Sequence, residues 1–393
     1  MPVVSVVLTS YNHRKFIREA IQSVLNQTFE DWELIIWDDD SVDDSWEIIS
    51  AFIDPRIKRF RNPKNEGPVF GINRAISEVA TGKYIAIHHS DDVWFADKLQ
   101  KQVDYLDQNP DIGAVFSEAQ IIDELGRPLS SLMHFNYNAR MLEKHSRYEW
   151  LNYFFLHGNA LWHPSVLIRK HCYDVFGLYD DYLIQVPDLD MWVRLCSAFE
   201  IHVMPGCLIK FRVLDGEKNT SGNRSDTRIR TTYEYYKVLQ HFARTLSKDA
   251  FFKIFPDYAF YDRGTFTDYP FILAKICQYS QCISARQMLG VDILFDIFSQ
   301  PLRRLSIEKA YGFTLKDFIQ ATGKTDIFST EAEHLSQKMR SELAEMAHQL
   351  NVIRLNEVNS ILSSRSWKIT APLRWLGHFF SKTNHPSKSD LLS

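Results

Sequence analysis

Glycine is missing where a dinucleotide site would need it. The chain opens on the β-branched run "VVSVVLT", and the turn that follows, "TSYNHRKF", contains none. A dinucleotide-binding βαβ unit requires a Gly-rich turn there so that the backbone can approach a pyrophosphate, which argues against that cofactor class. No P-loop, G-x-S-x-G or H-E-x-x-H pattern occurs either. Cysteine is scarce: five in 393 residues (Cys172, Cys196, Cys207, Cys277 and Cys282), odd in number and scattered. Only Cys277 and Cys282 are close, without further ligand-type spacing, so neither a disulfide framework nor a zinc site is indicated. No apolar run is long enough to span a bilayer. The N-terminus "MPVVSVVLTSYN" lacks a basic segment and a small-residue cleavage site, so a reducing cytoplasm is the default expectation. Excess charge is absent too. Lys and Arg total 45 against 49 Asp and Glu, a formal net charge of −4, which gives no reason to expect a nucleic-acid partner.

What is present is an ordinary globular composition, 45% hydrophobic and 24% charged, long enough for two or three domains. Residues 3 to 118 alternate between strand-like and helix-like patterns. "VVSVVLT", "WELIIWDDD", "IKRFRN", "KYIAIHH" and "IGAVFSEA" read as strands. Between them, "RKFIREAIQSVLNQ", "SVDDSWEIISAFI" (with Ser41 as a helix N-cap), "VFGINRAISEVA" and "FADKLQKQVDYLDQNP" read as helices. That rhythm predicts a sheet of parallel strands covered by helices. From 119 to 225 the pattern is mixed: "HPSVLIRKHCYDVFG" is a strand and short helix, "DLDMWVRLCSAF" an amphipathic helix, "IHVMPGCLIKFRVL" one or two strands. Residues 226–330 are helical and aromatic-rich. In 331–363, Met339, Leu343, Met346, Leu350 and Ile353 follow a 4-3-4-3 spacing, an a/d seam that would support self-association. The end, "SSRSWKITAPLRWLGHFFSKTNHPSKSDLLS", is basic and aromatic. With Thr370 as N-cap it predicts a short helix suited to an anionic membrane surface or to a protein partner.

The chemistry-bearing residues gather at strand ends. The first strand ends at Thr9–Asn12, the second at Asp38–Asp40, and "YIAIHHSDD" at His88, His89, Ser90, Asp91 and Asp92. In a parallel sheet these ends share one edge, where ligands bind. One acidic end is explained by helix capping, but several together repel unless a cation or a hydrogen-bonding ligand joins them. Tyr11 adds an aromatic face able to stack on a base. His88 and His89 alternate onto opposite sheet faces, so at most one faces that edge, and packing is the expected role of both.

"VSVVLTSYNHRKFIREAIQSVLNQTFEDWELIIWDDDSVDDS", "NEG" at 65–67 and "ATGKYIAIHHSDD" resemble the family-2 glycosyltransferases of the GT-A fold, over roughly residues 3 to 215. The resemblance implies an α/β GT-A (nucleotide-diphospho-sugar transferase) architecture. Its doubly wound mixed sheet would be followed by a helical C-terminal region. Residues 1–118 would form the nucleotide-sugar half and 119–225 the acceptor half, with 226–330 a helical region and 331–393 a helical segment and tail. It places Thr9 and Tyr11 against the nucleotide base, Asp39 on the base edge, Asp91 at the ribose, and Asp92 on a divalent Mn²⁺ or Mg²⁺. "VPDLDMWVRL" at 186–195 resembles the stretch that carries the catalytic base of inverting members, which falls on Asp188. The bland reading makes Asp188 the N-cap of the following helix, which is compatible with a base that must be held rigidly, and Asp190 is the weaker candidate base. Pro187 stands where the family often has a second acid, and Leu214, after Arg212–Val213, where many relatives have a histidine. His163, in "WHPSVLIRK", with Trp192 and Arg212 would lie toward the acceptor.

The expected activity is that of an inverting, hexosyltransferase-type enzyme. It would take a nucleotide-sugar donor, UDP or dTDP ahead of GDP, and a glycan hydroxyl, free or lipid-linked, as acceptor. The tail resembles those of bacterial surface-polysaccharide enzymes, which suggests O-antigen or capsule synthesis at the inner face of the cell membrane. Rival readings are a non-catalytic GT-A scaffold, against which the intact Asp39, Asp91, Asp92 and Asp188 argue, and a sugar-nucleotidyltransferase, whose Gly-rich basic loop is missing.

Overall fold

The structure, a computed structural model, describes residues 1–129, 145–216, 218–244, 247–264, 266–279 and 284–374. The first half runs β1 (Val4–Ser10), α1 (Ile17–Leu25), β2 (Trp32–Asp38), α2 (Ser45–Ser50), β3 (Ile57–Arg61) and α3 (Pro68–Arg74), the last extended by a π turn, Ala75–Val79. Next come β4 (Tyr84–His89), β5 (Val93–Trp94), α4 (Lys98–Gln108), β6 (Ile112–Ile122), α5 (Arg147–His157), β7 (Leu167–Arg169), α6 (Lys170–Phe176), α7 (Pro187–Cys196) and β8 (Glu200–Arg212). The strands form one sheet in the order β3-β2-β1-β4-β7-β6-β8-β5. Strands β1 to β4 pair in parallel. Strand β7 runs against both β4 and β6, and the two-residue β5 runs against β8 at the far edge, so the sheet is mixed.

Strand alternation sorts the core into two layers. On one face Val4, Val6, Leu8, Leu34, Ile36, Tyr84 and Ala86 pack on Ile17, Ile21 and Val24 of α1 and on Leu99, Val103 and Leu106 of α4. On the other face Val7, Ile35, Trp37, Ile85, Ile87, Ala114 and Phe116 meet α3, α5 and α7. Fully burying each such side chain contributes about 1.5–3 kcal/mol. The second core continues without a break into α8 (Ser225–Arg244), α9 (Lys248–Ile254), α10 (Tyr269–Tyr279) and α11 (Ser284–Phe298). It reaches α12 (Pro301–Tyr311), and Phe318 and Ala321 of α13 (Leu315–Lys324) pack against it. Residues 1–325 form one compact unit.

At the N-terminal edge of the sheet a buried polar cluster fixes how β4 enters. The Glu33 carboxylate accepts from Ser5 Oγ (2.6 Å), Thr81 N (2.7 Å), Thr81 Oγ1 (2.8 Å) and Lys58 Nζ (2.6 Å), while Ser5 Oγ accepts from Gly82 N (2.8 Å). Burial alone would raise the Glu33 pKa, but these donors outweigh it and hold it at about 2. A Cβ on Gly82 would lie 2.6 Å from Ser5 N, so glycine is required for the backbones to approach this closely.

The second unit, residues 326–393, contains α14 (Thr330–Ser363) and α15 (Arg365–Ile369). Leu335, Met339, Leu343, Met346, Leu350 and Ile353 are exposed on α14. Thr370 ends α15 and its hydroxyl donates to Ser366 O at 3.0 Å. Residues 371–374 are helical again, with Arg374 N donating to Thr370 O at 3.2 Å, so Thr370 does stand at the start of that turn. Its hydroxyl, however, bonds back to α15, which Ser364 caps, and does not cap the turn that follows. The rest of the basic aromatic tail, beyond Arg374, lies outside the described residues. No helix among the described residues is long and apolar enough to cross a membrane.

Candidate active site

The chain leaves β1 toward β2 and β3 on one side and returns to β4 on the other, so the crevice at the ends of β1 and β4 is the topological switch point where α/β sheets bind ligands. Two non-glycine residues there have positive φ, Asn12 (55°) and Asp40 (62°). Asn and Asp tolerate that region best. The loops they belong to are tied together. Val42 N donates to Asn12 Oδ1 and Asn12 N to Ser41 Oγ, both at 2.9 Å. Ser41 in turn donates its N–H (2.9 Å) and hydroxyl (2.6 Å) to Asp38. Asp38 has no exposed surface, so its carboxylate needs those donors. Ser41 is thereby kept from capping α2, whose N-cap is Asp44.

Asp39 is buried at the next position. Its Oδ1 accepts from Asn62 Nδ2 (2.6 Å) and Glu66 N (2.8 Å), and its Oδ2 from Gly67 N (2.9 Å). Asn62 is held by Trp37 Nε1 at 2.8 Å. Asp39 thus closes the "NEG" loop and, of roughly four acceptor directions on a carboxylate, keeps one on Oδ2 for a ligand. Tyr11 is 45% exposed. Thr9 lies opposite His89 on paired strands and is half-buried.

The two histidines part company. His88 is fully buried, stacks on Trp94 at 4.3 Å, and places Nε2 3.3 Å from Ala20 O. That is packing, as expected. His89 corrects the expectation: it points the other way, into the crevice, because it shares the face of Ile85 and Ile87. Its Nδ1 lies 3.6 Å from Asp92 Oδ2, and its Nε2 3.2 Å from His163 Nδ1. His163 Nε2 is 3.0 Å from Tyr179 Oη. Burial lowers the pKa of both imidazoles, that of His163 well below the ordinary value, so both are neutral near pH 7.

Asp92 is 1% exposed. Its Oδ1 accepts from Arg212 N at 2.8 Å, while its buried Oδ2 has no hydrogen-bond donor among the described residues. Burial first, and the neighbouring Asp91 charge second, raise its pKa well above the ordinary range. A buried, half-satisfied carboxylate beside a second acid is costly, and a divalent cation removes that cost. One ligand atom from each of His89, Asp91 and Asp92 lies within 4.8 Å of the others. The donor set therefore fits a divalent cation.

Arg212 faces inward. Its Nε donates to Asp91 O (2.8 Å), its Nη1 to the carbonyls of Asp123 and Glu124, and its Nη2 to Glu19 (2.6 Å). It is buried under the acid pair, which it fixes. Trp192 is likewise fully buried, edge-on to Phe116 at 4.7 Å, and offers no face to an acceptor.

On the same sheet face, Asp188 occupies the first turn of α7. It is not the N-cap: Pro187 takes the first helical position, which sets Val186 as the cap. Asn159 Nδ2 donates to Asp188 Oδ2 at 2.6 Å and Leu189 N to Oδ1 at 2.8 Å. Burial dominates over these bonds and pushes its pKa up to about 6, above the ordinary carboxylate value. Asp190 is turned away, bonded to His241 Nε2 (2.8 Å) and Arg194 (2.6 Å). Burial would raise its pKa, but those two partners hold it below the usual range.

The supporting residues were not foreseen from sequence. Glu234 of α8 accepts the N–H groups of Ile184, Gln185 and Val186 and so braces the entry to α7. Asn73 of α3 clamps Tyr179 through both its backbone N–H (3.0 Å) and carbonyl (2.8 Å). Glu234 and Asn73 lie about 50 and 106 residues from what they hold, and no local pattern marks them. His89 was within reach, since strand alternation with Ile85 and Ile87 assigns its face.

The family described as "Glycosyl transferase family 2" matches residues 5–172. An uncharacterized glycosyltransferase of Methanocaldococcus jannaschii is 31% identical over 245 residues, 61% of this chain and 79% of the relative. The chain belongs to glycosyltransferase family 2. A putative teichuronic acid biosynthesis glycosyltransferase of Bacillus subtilis, TuaG, is 36% identical over 34% of this chain and 53% of its own. The Escherichia coli UDP-Glc:alpha-D-GlcNAc-diphosphoundecaprenol beta-1,3-glucosyltransferase WfgD is 37% identical over 31% of this chain and 47% of its own. This family-2 chain thus spans about half the length of those two relatives. The crystal structure of S. aureus TarS 1-349 in complex with UDP-GlcNAc has the same fold, with a TM-score of 0.50, 16% identity, and coverage of 81% of this chain and 90% of that one. The GT-A architecture expected from the sequence is the one observed.

Proposed function

We propose that this family-2 glycosyltransferase is an inverting enzyme that moves a hexosyl group from a nucleoside diphosphate sugar to a glycan hydroxyl, with Asp188 as the base. Asp188 takes the proton of the acceptor hydroxyl. The freed oxygen attacks the anomeric carbon in line as the nucleoside diphosphate departs from the opposite side, inverting the configuration. A base with a pKa of about 6 is largely ionised at neutral pH yet basic enough to help, the compromise that general-base catalysis favours. Asp92, with Asp91 and His89, would hold Mn²⁺ or Mg²⁺, whose charge would neutralise the developing diphosphate. Tyr11 and Thr9 would lie against the base, Asp91 near the ribose. The remaining acceptor direction on Asp39 Oδ2 suits an imide N–H, as uracil and thymine carry, which supports UDP or dTDP donors.

The observation that carries this reading is continuity. A chain of contacts leads from Asp92 through His89 and His163 to Tyr179, whose hydroxyl is influenced by the charge of Asp188. These contacts support reading the cation-type acids and the base as parts of one site. The relatives' names support surface polysaccharide as the acceptor class, with a lipid-linked glycan as the form to test first, at the inner face of the membrane. The exposed seam on α14 supports self-association, and the basic tail supports contact with an anionic lipid surface. The test of function is a panel of UDP-, dTDP- and GDP-sugars with Mn²⁺ or Mg²⁺. Metal-dependent release of UDP or dTDP by the full chain is expected, and turnover of none of the panel would overturn the reading.

A further inference from the structure

We propose that His163 and Tyr179 are positioning residues that fix His89 as a nitrogen ligand of the cation site, and so turn that site toward ions that accept imidazole and away from Mg²⁺. The inference rests on the reading of Asp92 as a cation ligand and adds to it. Among the described residues Asp92 Oδ2 has no hydrogen bond, and it faces His89 Nδ1 across 3.6 Å, too far for a good hydrogen bond. The opposite side of the His89 ring is engaged, with Nε2 3.2 Å from His163 Nδ1, and His163 Nε2 lies 3.0 Å from Tyr179 Oη.

The relay can carry its protons in either direction, and a cation beside Asp92 selects the direction that leaves His89 Nδ1 unprotonated. His89 Nε2–H donates to His163 Nδ1, His163 Nε2–H donates to Tyr179 Oη, and Tyr179 O–H points to Tyr173 Oη at 3.4 Å. Each imidazole then carries one proton, and the lone pair of His89 Nδ1 is left directed at the gap beside Asp92. No proton or electron moves. The relay is rigid because Tyr179 is clamped by Asn73, and His163 starts a single 3-10 turn with its ring 5.9 Å from Trp192. A histidine ligand whose far nitrogen is held by a fixed acceptor is oriented and made more basic. Nitrogen ligands suit transition-metal ions, whereas Mg²⁺ demands oxygen in near-ideal geometry. His163, placed toward the acceptor by sequence, would thus act from behind the cation.

The test uses the full chain and Mn²⁺ alone. Electron spin-echo modulation of bound Mn²⁺ should show a coupled ¹⁴N in the wild type and none in His89→Asp, which should also shift the Mn²⁺-to-Mg²⁺ preference toward Mg²⁺. His163→Leu should weaken Mn²⁺ binding by about 10- to 100-fold, the usual effect of removing such a partner. His163→Gln, whose amide oxygen can accept from His89 Nε2, should restore much of it. Bound Mn²⁺ without ¹⁴N coupling in the wild type, or unchanged affinity in His163→Leu, would overturn the inference. Because the wild-type spectrum alone decides the first point, failure of a variant to fold does not shield it. Sugar transfer that persists with an all-oxygen Mn²⁺ signal would reject this inference alone, whereas absence of both metal binding and transfer would reject the parent reading.

Discussion

At the scale of single residues, the candidate base and the candidate cation ligand are both held in electrostatically unfavourable states. Asp188 is an acid whose pKa is raised to about 6 by burial. Its ionisation therefore opposes folding, and the cost grows as pH rises from about 4 through 6. Asp188→Asn should accordingly be no less stable than wild type at pH 7.5, by thermal unfolding, while transfer falls roughly 10²–10⁴-fold and donor affinity stays. In the wild type, turnover should fall as pH drops through about 6. Asn159→Ala removes a bond that lowers the Asp188 pKa, so it should move that limb to higher pH. Asp92→Asn should abolish metal-stimulated nucleotide binding in calorimetry and leave the fold intact, since Oδ1 of the amide can still accept from Arg212 N.

At the scale of elements, the sheet depends on a few close approaches that patterning does not reveal. Glu33 is 6% exposed at its side chain and joins β1, β2, β3 and the entry to β4. Its pKa falls from 4.5 to about 2 on folding. That shift corresponds to about 3 kcal/mol, reduced because Lys58 is 44% exposed. Glu33→Gln should cost about 2–3 kcal/mol at pH 7 in denaturant titrations. The carboxylate's contribution is present above about pH 4.5 and lost as pH falls toward 2, so the difference between variant and wild type should shrink by pH 3. Gly82→Ala should destabilise more than a helix-surface change, because the obstructing atom is backbone.

The strands of the first half were legible because β-branched runs buried on both faces leave little ambiguity, as in "VSVVLTS" and "WELIIWD". The strand Val93–Trp94 was not, since two residues carry no periodicity and its pairing with β8 is set by tertiary contact. Ser41 was misplaced as an N-cap, and the bland alternative that made Asp188 one fails, for one reason. Capping propensity is local, whereas a buried Asp38 and a Pro at the first helical position decided the outcome. Arg212 and Trp192 carry polar and aromatic groups typical of acceptor sites, and only burial distinguishes them as supports.

At the scale of the whole molecule, 1–325 contains the candidate base and cation ligands, and α14 adds an exposed apolar seam in the second unit. If that seam pairs copies, replacing Leu343 and Met346 with Lys in the full chain should lower the sedimentation mass and leave the metal affinity of the crevice unchanged. The claim on which everything else depends is that Asp188 drives inversion at a nucleotide-sugar crevice. Proton NMR of the product formed from an α-linked UDP- or dTDP-sugar by the full chain with Mn²⁺ tests it most directly. A β-linked product from wild type, and none above background from Asp188→Asn at equal donor affinity, is the predicted result. An α-linked product, or undiminished transfer by Asp188→Asn, would contradict it.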